Sequence, residues 1–193
     1  MKILTLNTHS LQEENYQQKL NWFVEGILKE MPDIIAMQEV NQTAAAELMD
    51  LEMLEGQYPI PGCMKIRRDN HAAQVAYRLR QAGIECYWTW LPIKLGYGKY
   101  DEGVAILSLG RKIRCVDKFP ISKVNDYQNW RTRAVLGVQV EGLDDPSLTF
   151  TRSPFLPTLF TSCNKIIFIL FPPQDILQWL CGSCPSLPPL CSP

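Results

Sequence analysis

Two residues near the start of this 193-residue chain, Asn7 and Glu39, have a type and a setting suited to chemistry. A carboxylate is a hard oxygen ligand for a divalent cation, and an amide can orient such a ligand or a phosphate by hydrogen bonding. Each stands where a short strand-like run ends. Taken alone, Asn7 equally suits a turn that its side chain caps, and Glu39 equally suits a solvated strand end. His9 follows Asn7 by two residues. It would share a face with Asn7 if the strand continued, but Asn7–Ser10 is a turn-forming cluster, so His9 reads foremost as a turn histidine.

The elements that must position these residues can be read around them. Lys2–Leu6 alternates apolar and polar residues, as a strand does. Leu20, Phe23, Val24, Ile27 and Leu28 recur on one helical face, predicting a helix over Tyr16–Lys29 that ends at Met31-Pro32. Ile34–Met37 is a short apolar run of the kind a doubly buried strand takes. Strand, helix and strand at this spacing close as a right-handed crossover with parallel strands. The ends of the two strands, and with them Asn7 and Glu39, then emerge on one edge of the sheet, where open α/β sheets bind ligands.

Further on, a helix is predicted for Thr43–Leu54, and another for Asn70 to about Ala82 with Asn70 as its cap. Strands are predicted at Cys86–Trp90, Gly103–Ser108, Ile113–Val116 and Arg131–Val140, with a loop at Gly96–Gly98. Arg67, Arg68, Arg78 and Arg80 could line a phosphate-rich groove, but a solvated face is the commoner use of such residues.

Leu6-Asn7, the run Met37–Val40 and the run Tyr100–Ser108 (YDEGVAILS), in this order and spacing, resemble the endonuclease/exonuclease/phosphatase superfamily. That family includes DNase I, the exonuclease III-type repair nucleases and bacterial sphingomyelinases. The resemblance runs from Met1 to about Asp145 and covers the N-terminal half of such a domain. It implies half of a four-layer α/β sandwich of the DNase I-like type, a mixed sheet with helices on its outer face. It also implies hydrolysis of phosphoesters with Mg²⁺ (or Mn²⁺), with Glu39 as metal ligand, Asn7 orienting it and Arg133 contacting phosphate. Nucleic acid, a lipid head group or a sugar phosphate would all be substrates in keeping with the family.

Composition bounds the rest. The length fits one domain with a good core, and a net charge of −1 excludes the basic footprint of a nucleic-acid-coating protein. Met1 leads straight into a strand without a secretory leader, and the seven cysteines are odd in number and irregularly spaced, so reduced thiols in a cytoplasmic protein are expected. Residues 146–193 differ in character: they hold nine of the fourteen prolines and four of the seven cysteines, yet only Arg152, Lys165 and Asp175 as charges. No run there reaches the roughly 18 apolar residues of a membrane span. This stretch reads as a poorly patterned tail unrelated to residues 1–145, either frameshifted or disordered. Cys181 and Cys184 have metal-ligand spacing but no second pair, and are assigned no role.

The second half of the family carries a His or Tyr after the next core strand, an Asp-x-Asn motif and a terminal Asp-His pair. Neither His9 nor His71 lies in such a motif, and no Asp-x-Asn follows Glu39. Without a positioned base, most of the rate enhancement should be missing. A first half alone should also leave the inner face of its sheet bare, for the tail to cover. The expectation is a hydrolase fragment with little or no turnover; the alternative is a non-catalytic interaction protein, or a degenerate remnant, binding a partner through that face.

Overall fold

The computed structural model describes residues 1–143 and the short strand Ile166–Phe168. The fold begins with strand β1 (Ile3–Asn7), helix α1 (Tyr16–Glu30) and strand β2 (Ile34–Thr43). β1 and β2 pair in parallel, as the crossover requires, with Asn7 opposite Gln38. Helix α1 buries Leu20, Val24 and Ile27 and stops at Met31, which takes the left-handed conformation and closes onto the Ile27 carbonyl at 2.7 Å.

Helix α2 (His71–Gln81) is capped as its sequence predicts: Asn70 Oδ1 accepts the Ala73 N–H at 3.1 Å. Strands β3 (Cys86–Gly96) and β4 (Tyr100–Leu109) then form a hairpin, turning at Tyr97 and Gly98. β4 pairs with β2 on its other side, so the mixed sheet runs β1-β2-β4-β3 with β4 buried along its whole length. Strands β5 (Ile113–Pro120), β6 (Ala134–Val140) and β7 (Ile166–Phe168) form a second, antiparallel sheet.

Side chains on a strand point alternately to the two faces, and the alternation here divides two cores. Ile35 and Met37 of β2 and Ala105 and Leu107 of β4 pack under α1 and α2, with Trp88 and Trp90. Ile34, Ala36, Val104 and Ile106 face the other way, onto Leu136, Val138 and Val140 of β6. The described residues thus stack as helices, mixed sheet and second sheet, the α/β sandwich expected from the sequence.

Four details correct that expectation. Thr43–Leu54 is not a helix: only Leu51–Leu54 forms a single 3-10 turn. The backbone groups that a helix would pair internally pair across the chain instead, Met49 N–H with the Ile66 carbonyl at 3.0 Å and Arg68 N–H with that of Glu47 at 2.9 Å. β2 does not end before Glu39 but runs on to Thr43, and β6 begins only at Ala134, leaving Arg131–Arg133 in the preceding loop. The inner face of the mixed sheet is not bare, because the β5–β6 hairpin covers it: Ile34, Ala36 and Ile106 are fully buried. Within residues 146–193, Ile166–Phe168 is a strand beside β6. The rest of that stretch, including Cys181 and Cys184 and the frameshift reading, lies outside the described residues.

One buried polar group locks the two helices together. His71 takes a hydrogen bond with the Tyr16 hydroxyl at 3.0 Å through Nδ1 and stacks on Phe23 with ring centroids 6.1 Å apart. Its Nε2 is buried without a partner. Burial, reinforced by the Arg78 charge, pushes the His71 pKa down to about 4. A histidine depressed in the folded state binds its proton more readily when unfolded, so stability should fall as pH drops from about 6.5 towards 4. The loss should approach about 3 kcal/mol at full protonation. Urea unfolding of the native protein and of His71→Gln between pH 7.5 and 4.5 checks this. The gap between the two should change with pH, and a constant gap would refute the assignment.

Candidate active site

Asn7 is the last residue of β1 and Glu39 sits inside β2, yet the two meet as anticipated: Asn7 Nδ2 donates to Glu39 Oε1 at 2.9 Å. The other end of the amide is also used, since Asn7 Oδ1 accepts the His9 backbone N–H at 3.2 Å. A backbone N–H can only donate, so this contact fixes which end of the amide faces Glu39.

Glu39 reaches this position through a bulge. Met37 pairs with Ala105 and Val40 with Gly103, so Gln38 and Glu39 together oppose the single residue Val104. Glu39 adopts a φ of 50°, in the left-handed region that a side chain rarely enters. Such bulges re-aim a side chain, and strained backbone persists only where neighbours hold it. Thr8 is the neighbour that does so: its N–H and hydroxyl reach the Gln38 carbonyl at 3.0 and 2.8 Å, and the hydroxyl lies 3.3 Å from that of Glu39.

β3 carries a second bulge at the same level. Pro92 pairs with Gly103 and Lys94 with Glu102, leaving Ile93 extra. The two bulges flank β4 at Gly103 and open a small cleft lined by Asn7, Gln38, Glu39, Lys94, Glu102 and Arg133, among others. Lys94 and Glu102 form an ion pair at 2.9 Å with both side chains largely buried. Arg133 Nη1 is tied to the carbonyls of Trp130 at 2.6 Å and Thr132 at 3.0 Å, which fixes the guanidinium at the cleft wall.

The structure therefore brings Asn7, Glu39 and Arg133 to one cleft. His9 is the turn residue anticipated, with φ 46°, but its Nε2 also lies 3.5 Å from Glu39 Oε2. Arg67, Arg68, Arg78 and Arg80 do not line the cleft. Arg67 and Arg80 bond the carbonyls of Ala46 and Met53, Arg78 bonds Asn21 and Gln17, and Arg68 pairs with Glu47 and Asp50. Sequence reasoning missed Thr8, Lys94 and Glu102. Glu102 carried a signal, as one of two adjacent carboxylates heading a strand that is mostly apolar from Gly103 on; Lys94 and Thr8 carried none.

As a donor set for a hard divalent cation, the cleft offers Glu39, which is partly exposed and backed by an amide. Mg²⁺ is commonly held by one or two carboxylates with water and substrate phosphate completing its shell, so Glu39 fits that mode. Among the described residues no group of three or more His, Cys, Asp or Glu gathers as a protein-only cage would need.

A mixed sheet backed by helices and faced by a second sheet thus carries an amide-held carboxylate at a bulge. Comparison with known proteins identifies the fold. The chain resembles the endonuclease/exonuclease/phosphatase family and carries its fold. It superimposes on an endonuclease/exonuclease/phosphatase family protein from Leptotrichia buccalis C-1013-b with a TM-score of 0.62 and 29% identity, over 72% of this chain and 48% of that one. Less similar are an endonuclease/exonuclease/phosphatase from Beutenbergia cavernae DSM 12333, with a TM-score of 0.48, 18% identity and coverage of 77% and 35%, and the human Nocturnin catalytic domain, with a TM-score of 0.44, 14% identity and coverage of 73% and 44%. This chain spans about half the length of the Leptotrichia protein. No protein-family model and no curated protein matches it.

Gly103 is the residue on which the cleft's shape turns. A Cβ there would lie 2.1 Å from the Leu91 carbonyl oxygen and 2.8 Å from its carbon, in backbone that cannot swing aside. Gly103→Ala should cost about 2 kcal/mol or more. Urea denaturation measures it; a change below about 0.5 kcal/mol, the usual scale for an unconstrained surface site, would mean the strands are not this close.

Proposed function

We propose that the chain is a member of the endonuclease/exonuclease/phosphatase family, carrying the metal-holding and phosphate-holding side of a phosphoester hydrolase site. The observation that carries this reading is the Asn7–Glu39 hydrogen bond at 2.9 Å, which presents one carboxylate in a cleft that also holds two cations.

In this reading Glu39 holds Mg²⁺ or Mn²⁺. When bound, the ion supplies polarisation of a phosphoryl oxygen and stabilisation of the leaving oxygen. Asn7 holds the carboxylate in one rotamer by donating to Oε1, leaving Oε2 turned away from it. Arg133 and Lys94 receive the phosphate, Arg133 from a position fixed by two carbonyls. Among the described lining residues, Glu39 and Glu102 oppose Lys94 and Arg133 in charge, which weakens the cleft's attraction for an anion. Loading Glu39 with a divalent cation makes the cleft positive, and phosphate binding should follow the metal.

Among the described residues the cleft holds no evident base for the attacking water. Glu102 is committed to Lys94, and His9 faces the metal-holding Glu39. His71 is buried between the helices. We therefore propose that this chain by itself turns over slowly or not at all, and that residues 1–145 form the functional unit, to which the 146–193 segment adds the strand Ile166–Phe168 beside β6. The substrate is a phosphoester. No helix of the described residues is long and apolar enough to cross a membrane, and a cytoplasmic setting is part of the same proposal. The interaction-protein alternative loses its main support, since the sheet face it required is covered by the β5–β6 hairpin.

Titration with Mn²⁺ followed by inorganic phosphate tests the reading. Mn²⁺ should bind at one site, phosphate should bind only in its presence, and Glu39→Gln should weaken the metal at least tenfold. Asn7→Ala should weaken it less. Failure of the protein to bind Mn²⁺, or unchanged binding in Glu39→Gln, would refute it. Rapid Mg²⁺-dependent hydrolysis of bis(p-nitrophenyl) phosphate, abolished by Glu39→Gln, would refute the proposed lack of turnover alone.

A further inference from the structure

The loop between β5 and β6 places an aromatic residue beside the two cations of the cleft. Trp130 is 64% exposed, and its carbonyl accepts from Arg133 Nη1 at 2.6 Å and Lys94 Nζ at 3.4 Å. Both donors line the cleft, as does Thr132 two residues on. The Arg131 guanidinium stands over the Trp130 ring at 5.1 Å from its centroid. One side of the indole thus meets a cation, while most of the side chain stays in water.

This loop is held firmly. Asn129 N–H bonds the Asp126 carbonyl at 3.0 Å, Thr132 N–H that of Asn129 at 3.0 Å, and Arg131 N–H the Asn129 side chain at 3.0 Å. Tyr127 fastens it to the mixed sheet: its hydroxyl donates to Asp101 at 2.7 Å and its carbonyl accepts the Leu95 N–H at 2.8 Å. Burial and the Asp101 carboxylate push the Tyr127 phenol well above its ordinary range, so it remains a donor. An indole displayed on a rigid support at low entropic cost is what stacking recognition requires.

A lone exposed aromatic needs no explanation, and Trp22 on helix α1 is a case, at 57% exposure with no cation over its ring among the contacts described. Trp130 differs in three ways: it shares its backbone with the cleft, carries a stacked guanidinium, and sits on a strapped loop. We propose that Trp130 and Arg131 form a stacking platform for the nucleobase of a nucleotidyl phosphoester whose phosphate lies in the cleft. This rests on the phosphoester reading above and narrows its substrate class. Aromatic side chains accept any base on their face, and a neighbouring Arg adds a cation–π contribution.

The test uses the full chain with Mn²⁺ and three probes: adenosine monophosphate, ribose 5-phosphate and a single-stranded oligo(dA) tetramer, each followed by calorimetry and tryptophan fluorescence. The nucleotide should bind more tightly than ribose 5-phosphate and quench fluorescence. Trp130→Ala should weaken the nucleotide about fivefold or more while leaving ribose 5-phosphate unchanged, and Trp130→Phe should restore most of the difference. Tetramer binding tighter than the mononucleotide, with the same dependence on Trp130, would assign a strand as the source of the base; equal affinity would assign a free nucleotide. Equal binding of nucleotide and ribose 5-phosphate, indifferent to Trp130, would overturn the platform and leave the phosphoester reading standing. Binding of none of the three would overturn both.

Discussion

The close passage of Leu91 over Gly103 is the constraint around which the cleft is built. A β-sheet keeps its strands at a fixed spacing, and a residue without a side chain is needed where two backbones come closer than a Cβ allows. At this level both neighbours of β4 depart from regular pairing, β2 at Gln38–Glu39 and β3 at Ile93. The extra residues bend the flanking strands at one height, and the cleft opens there. Glycine on the central strand and bulges on both sides are one device. Neither bulge would place its side chains at the cleft if β4 presented a bulky residue between them.

The same geometry explains why Glu39 can occupy so unusual a backbone conformation. A positive φ costs a non-glycine residue of the order of 1 kcal/mol or more. Thr8 offsets this by gripping the Gln38 and Glu39 carbonyls, and Asn7 by holding the carboxylate. Asn7 ends β1 and Thr8 follows it, so the parallel pairing of β1 with β2 is what delivers the restraint. A carboxylate held this way keeps one rotamer without the help of a bound ion.

Much of the scaffold was legible in the sequence, and the reasons are specific. Helix α1 announced itself by the spacing of Leu20, Val24 and Ile27 and by Pro32; helix α2 by its Asn70 cap. The parallel placement of Asn7 and Glu39 followed from the chirality of crossovers. Thr43–Leu54 misled because its alanines and leucines favour a helix, while the 66–68 segment, distant in sequence, claims its backbone groups. The bulge at Glu39 was invisible, since a run read as ending at Met37 gives no sign of continuing past an irregularity. Covering of the inner face by β5 and β6 was also missed. The apolar positions Leu136, Val138 and Val140 were evident, but nothing local says which sheet they face. Lys94 stayed hidden because its partner Glu102 is met only through the β3–β4 register.

The cleft lies at the seam of the two sheets, and this sets how its charges relate. Glu39, Lys94 and Glu102 come from the mixed sheet, whereas Thr132 and Arg133 come from the loop entering β6 of the second. The separation between carboxylate and guanidinium is therefore fixed by the packing of Val104 and Ile106 against Leu136 and Val138, not by any direct bond between them. A close-packed core resists change in that separation, since losing or adding even a methylene is felt. The two carboxylates and two cations consequently stay balanced but unmerged: Glu102 is neutralised by Lys94 in its own sheet, and Glu39 is held apart by Asn7. Had Arg133 collapsed onto Glu39, the carboxylate would be satisfied and unfit for a cation. Rigid sheet packing is what keeps a negative and a positive group side by side in one cleft without merging.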